Sequence, residues 1–193
     1  MVPHRYGKGA LIYSRTEAPQ GLYVIRSGEA AFCIDGANGR RFLLKILRVN
    51  ELFGESVALD RRPAPVSVEA RSALVIGMVP RHRLDPLRRQ FSEIDTALSL
   101  VAAANLRAVL DVLEEQTLMS LSERTSSRLR ALCREEGWQN GMATRLTLNL
   151  TQSELAAMLG VSRQAVNGEL ARLAERGAVR RSFGSIEVRP EIL

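Results

Sequence analysis

The chain has 193 residues, 46% of them hydrophobic and 25% charged, and a formal net charge of +6. That is enough apolar material for one large core or two small ones, so neither a disordered chain nor a disulfide scaffold is implied. With only Cys33, Cys133, His4 and His82 and no ligand spacing among them, no zinc site, haem or iron–sulfur cluster is expected.

The longest uncharged stretch, residues 96 to 106, is too short to cross about 30 Å of hydrocarbon. The N-terminus carries His4, Arg5 and Lys8 without an apolar signal core, so a cytoplasmic protein with no membrane partner is expected. The basic balance suits a polyanion partner, but the excess extends through the first ninety residues, so pattern rather than charge must decide. No GxSxG elbow, phosphate-binding Walker loop, HExxH or Cys-His arrangement occurs, and an enzyme is not expected.

From Leu11 to Val79 short apolar runs (LIY, LYVI, AAFCI, FLLKIL, VSVEA, ALVIGMV) alternate with turn signals at Ser27-Gly28 and from Asp35 to Gly39. This predicts an antiparallel roll or barrel. Asp85-Pro86 predicts the start of a short helix, with Asp as N-cap and Pro at the first helical position. Ser92-x-x-Asp95 and Ser120-x-x-Glu123 resemble capping boxes, and no Gly or Pro interrupts the chain from there to Gly137. Two helices are predicted, over 92–118 and 121–135. On the first, Ile94, Leu98, Val101, Asn105, Val112 and Met119 recur at near-heptad spacing, with Leu100, Leu106, Leu110 and Leu113 off that line. One face should pack on the roll and the other on a partner helix, with Leu98, Val101, Asn105 and Val112 as the dimer seam and Asn105 setting register. A monomeric bundle helix is the alternative.

After a loop over Gly137 to Thr144, Leu146, Leu148 and Leu150 alternate with polar residues as a short strand. Thr151-Gln-Ser-Glu154 is a capping box that opens a helix at Gln152, and Gly160 can end it in the left-handed conformation. Ser162 caps a second helix, in which Val166, Leu170 and Leu173 form one inward stripe. Arg163, Gln164, Asn167, Gly168 and Ala171 then lie outward, with residue types suited to guanine and adenine edges. Val179 to Ser182, a turn at Phe183-Gly184-Ser185, and Ile186 to Val188 form a hairpin or wing carrying Arg180 and Arg181. A helical hairpin that binds nothing is the bland alternative, but the order strand, capped helix, glycine turn, capped helix, basic hairpin is more specific to DNA binding.

The stretch LTQSELAAMLGVSRQAVNGELARL resembles the helix-turn-helix of the Crp/Fnr family of bacterial regulators. GLYVIRSGEAAF and LFGESVAL are similar to its cyclic-nucleotide-binding-type roll, and Arg124 stands where the family commonly has Arg. The resemblance implies an α+β chain: a sensor β-roll, jelly-roll-like, over 1–90; a dimerisation helix over 91–119; and a winged helix-turn-helix over 120–193. It further implies a homodimer reading a near-palindromic duplex site, with DNA-binding residues Thr151, Gln152, Ser162, Arg163, Gln164, Asn167, Gly168, Arg172, Arg180 and Arg181. RNA polymerase and a small-molecule effector are the further partners it implies.

The chain departs from the family's pattern in several places. Cyclic-nucleotide-binding members carry Arg and then Ser or Thr after the glycine-glutamate motif, where this chain has Ala64 and Pro65; the phosphate anchor, a charge-assisted contact of about 1.5 to 3 kcal/mol, is missing. Val109 and Leu110 replace the hydroxyls that contact the base. Gly54 and Glu55 persist, either as an effector contact or as a turn within the roll. With the anchor and the hydroxyls missing, an effector other than cAMP is expected; Arg61 or Arg62 serving as a substitute anchor is the alternative. Gly168 stands where many relatives have Arg, so Gly168→Arg should tighten DNA binding or shift the half-site. Gly168 also suggests a second reading, a sensor module with a weakened DNA-binding half. The family's helical lead-in before the first strand is absent, as expected of a short or trimmed start.

Overall fold

The computed structural model describes residues 1–37, 39–139, 145–182 and 184–193. They form two compact units, Met1–Asp111 and Val112–Leu193.

The first unit is the expected roll, built from two four-stranded antiparallel sheets. One has the order β1 (Val2–Tyr6), β8 (Leu74–Pro80), β3 (Gly21–Ser27), β6 (Leu52–Phe53); the other β2 (Leu11–Tyr13), β7 (Ser67–Ala70), β4 (Ala30–Asp35), β5 (Arg41–Leu47). Side chains at alternate positions of both sheets meet in one core that includes Tyr13, Tyr23, Ile25, Phe32, Phe53, Val68 and Ile76. Tyr23 and Phe53 stack at 5.0 Å, with Phe32 edge-on to Phe53 at 6.4 Å.

Three elements differ from the sequence expectation. Strand β1, in the polar stretch before Leu11, pairs β8 through Val2↔Met78 to Tyr6↔Leu74. It lies at the sheet edge, the place where Pro3 is tolerated. A six-residue helix, α1 (Glu55–Asp60), follows Gly54, which sits at φ 87°; a side chain there would approach the Gly21 carbonyl oxygen at 3.0 Å. Helix α2 spans Arg81–Gln90, so it starts four residues before Asp85 and carries Pro86 inside it. Burial of Leu84 against Leu22, Ala58 and Leu98 draws the start upstream, and this packing outweighs the backbone hydrogen bond that Pro86 cannot donate.

Helix α3 spans Ser92–Leu118, and the division between the units falls within it. At 1.5 Å per residue it is about 40 Å long, so by length and composition alone it could cross a bilayer, although its uncharged stretch is short. Its two apolar faces are real, and the residues expected as the dimer seam differ in exposure. Leu98 is 2% exposed, inside the cluster with Leu22 and Leu84, and Val112 is buried. Asn105 donates to Glu55 of the same chain, and Val101 is half-buried. Leu98 and Val112 are thus covered within the chain, whereas Val101 and Asn105 keep part of their surface exposed. The exposed apolar face is instead Leu106, Val109, Leu110 and Leu113, with Leu106, Leu110 and Leu113 at heptad spacing.

The second unit holds α4 (Leu121–Glu135), β9 (Leu146–Leu148), α5 (Gln152–Leu159), α6 (Arg163–Glu175), β10 (Val179–Ser182) and β11 (Ser185–Val188). The three strands form a sheet of order β10-β11-β9. Leu129, Leu155, Leu159, Val166, Leu170 and Ile186 are at most 1% exposed and make its core. Of the loop expected over Gly137 to Thr144, residues 140–144 lie outside the described residues, as do Asn38 and Phe183 in the two expected turns.

Candidate nucleic-acid interface

Local side-chain chemistry sets each helix start in the second unit. Ser120 Oγ accepts from the Glu123 N–H while Glu123 accepts from the Ser120 N–H, closing the predicted box. The Ser120 hydroxyl, which also donates to the Glu123 carboxylate, and the Ser120 N–H together hold that carboxyl below its ordinary pKa. Thr151 and Glu154 close the second box at 3.1 and 2.8 Å. The Thr151 hydroxyl is therefore engaged in the cap, and Gln152 beside it is half-buried. Gly160 ends α5 at φ 66°. Ser162 Oγ then accepts from the Ala165 N–H at 3.2 Å and starts α6.

On α6, Val166, Leu170 and Leu173 are buried as the stripe requires, and Arg163, Gln164 and Gly168 are exposed. Asn167 sits at the margin of that outward face: it is half-buried, and its amide oxygen is enclosed with no partner among the described residues. Arg172 is 72% exposed and paired at 2.6 Å to Glu169, a residue only 7% exposed that the sequence reading did not single out. Its signal was a carboxylate lying next to the apolar stripe. In the wing, Arg180 and Arg181 are exposed and lie opposite Glu187 and Ile186.

A Cβ at Gly168 would meet nothing within 4 Å. Gly168→Ala is accordingly expected to stabilise the protein by up to about 1 kcal/mol, because a mid-helix glycine forgoes helix propensity. Chemical denaturation checks this; a loss of stability would mean that the space is needed.

A polar network anchors this motif, and of its members the sequence pointed only to Arg124. Gln116, at the end of α3, donates to the Leu159 carbonyl at 3.1 Å, and Arg124 donates both to that carbonyl and to Gln116 Oε1. Together they occupy the C-terminal carbonyl of α5 beside the turn. Glu115 meets Arg128 at 2.8 Å and Ser127 Oγ at 2.9 Å, with the ion-paired side chains 14% and 16% exposed.

In the roll, Glu55 is 6% exposed, at the first turn of α1. Arg61 and Arg62 do not join it. Their side chains are 68% and 84% exposed, near Asp85 and Asp60. Ala64 is buried in the roll core. Both thiols are buried, which pushes the Cys33 and Cys133 pKa values up to about 11. Among the described residues no group of three or more His, Cys, Asp or Glu is placed to hold a metal ion.

Comparison with known proteins covers both units. Residues 3–91 match the family described as cyclic nucleotide-binding domain, and residues 117–190 the Crp-like helix-turn-helix domain. The chain is 32% identical over 181 residues to a CRP-like cAMP-activated global transcriptional regulator of Mycobacterium tuberculosis, an alignment covering 92% of this chain and 80% of the relative. It is 31% identical over 196 residues to the cyclic AMP receptor protein of Thermus thermophilus, covering 97% and 84%. In fold it is similar to FixK2 of Bradyrhizobium japonicum, with a TM-score of 0.82 at 20% identity over 97% of this chain and 92% of that one. With a nucleotide-binding-type roll, a capped helix pair followed by a wing, and both halves matched in the same order, the chain belongs to the Crp/Fnr family of transcription regulators.

Proposed function

We propose that this regulator acts in the cytoplasm as a homodimer that reads a near-palindromic duplex site with α6, and that cAMP is not its effector. The observation that carries the reading is the exposure of Arg163 and Gln164 at the start of the Ser162-capped helix while Val166, Leu170 and Leu173 hold its other side in the core. Arg suits a guanine edge and Gln an adenine edge. The unpartnered Leu106, Val109, Leu110 and Leu113 face of α3 supports pairing with a second copy, which would set two half-sites in register.

Two relatives are named for cAMP, but where the family resemblance implies a phosphate-binding Arg this chain has Ala64, buried in the core, and Arg61 and Arg62 lie at the surface. The cyclic phosphate would then lack its guanidinium. Nothing in the family match or in the intact capped helix pair favours the reading with a weakened DNA-binding half.

In vitro selection of bound duplexes tests the proposal, with a symmetric enriched site as the expected result and unenriched sequence as the refuting one. On the selected site, Arg163→Ala should cost about 1 to 3 kcal/mol and relax one base pair per half-site. Arg180→Ala should weaken binding to all sequences alike and reduce the salt slope by about one. The reverse pattern would place the wing, not α6, in the groove.

A further inference from the structure

The roll's short helix α1 is held at both ends by protein groups. At its start, Glu55 Oε1 accepts from Asn105 Nδ2 of α3 at 2.9 Å, with the carboxylate nearly enclosed. At its end, the Val57 and Ala58 carbonyls accept from Arg81 and Arg88 of α2, and Arg88 also binds Asp95 of α3. Buried polar groups of this kind must be satisfied, and here each is satisfied from within the chain. A ligand hydroxyl seeking Glu55 Oε1 would compete with Asn105 for it.

Position 64 is also committed to the roll core. Ala64 is 3% exposed and belongs to the same core as Tyr13, Tyr23, Phe32 and Phe53, whose rings interlock at 5.0 to 6.4 Å. A guanidinium or a phosphate at position 64 would enter a packed aromatic core, and desolvating a charge there is costly.

We propose that the Asn105–Glu55 hydrogen bond does in this chain what an effector would otherwise do, joining α1 to α3, so that the regulator binds its site without any small molecule. The proposal rests on the DNA-reading function above. Asn105 acts here as a positioning residue: its amide is engaged with Glu55, and its contribution is to hold α3 against the roll.

The test uses the full chain, unfolded, dialysed and refolded so that no nucleotide is carried over, and the duplex that the wild type selects. Ligand-free protein is expected to prefer that duplex over a scrambled one by about a thousand-fold or more. Added cAMP or deproteinised cell extract should change its affinity by far less than the roughly 5- to 150-fold of an allosteric effector. Asn105→Leu should lose about ten-fold in specific affinity while Glu55→Gln, which keeps an acceptor oxygen, stays near wild type. If Asn105→Leu fails to fold by circular dichroism, Asn105→Ala decides the point in the same way. Specific binding that appears only with cAMP or extract, or a folded Asn105 variant that binds as well as wild type, overturns the proposal. A wild-type chain with no sequence preference in either condition would remove the DNA reading itself, and this proposal with it.

Discussion

Phe53→Ala is expected to destabilise the first unit by about 3 to 5 kcal/mol, the range for truncating a fully buried aromatic. Phe53 is 0% exposed, stacks on Tyr23, and meets Tyr13 at 6.1 Å and Phe32 edge-on. All three tyrosines, Tyr6, Tyr13 and Tyr23, are in this unit, and their near-ultraviolet circular dichroism follows its unfolding. Phe53→Leu should lose clearly less. A Phe53→Ala midpoint within error of wild type would mean that the ring cluster is not the unit's core.

Arg128→Ala is expected to cost the second unit about 1 to 3 kcal/mol, since it strands a half-buried carboxylate. Glu115 would keep the Ser127 hydroxyl but lose its countercharge in a setting where both ion-paired side chains are largely enclosed. Trp138, the sole tryptophan, lies in this unit at 8% exposure, so its fluorescence during denaturation reads the effect. Replacing both partners, Glu115→Leu with Arg128→Met, should recover most of the loss, because an apolar pair leaves no stranded charge. A single Arg128→Ala variant that loses less than about 1 kcal/mol would class the pair with surface ion pairs.

What was legible and what was not divides along the range of the interaction. The DNA-binding motif could be read because its signals are local: Ser120 with Glu123, Thr151 with Glu154, Ser162 with Ala165, and a stripe at i, i+4 and i+7. Strand β1 left no such trace, because an edge strand is defined by its neighbour β8 seventy residues on and not by its own alternation. Asp85-Pro86 was a valid local signal that lost to the burial of Leu84. For Glu115, Arg128 and Glu169, a charged residue reads as surface until the fold encloses it.

Helix α3 shows the limit most clearly. Its sequence determined that two apolar rows run along it, since both follow from the spacing of Leu, Val and Ile on a 3.5- to 3.6-residue period. Only the tertiary structure decided which row faces home: Leu98 joins Leu22 and Leu84, and Asn105 reaches Glu55 fifty residues away, leaving Leu106, Leu110 and Leu113 outside. Periodicity reports that a face is apolar and is silent on what covers it, because the covering residues are brought there by the rest of the chain.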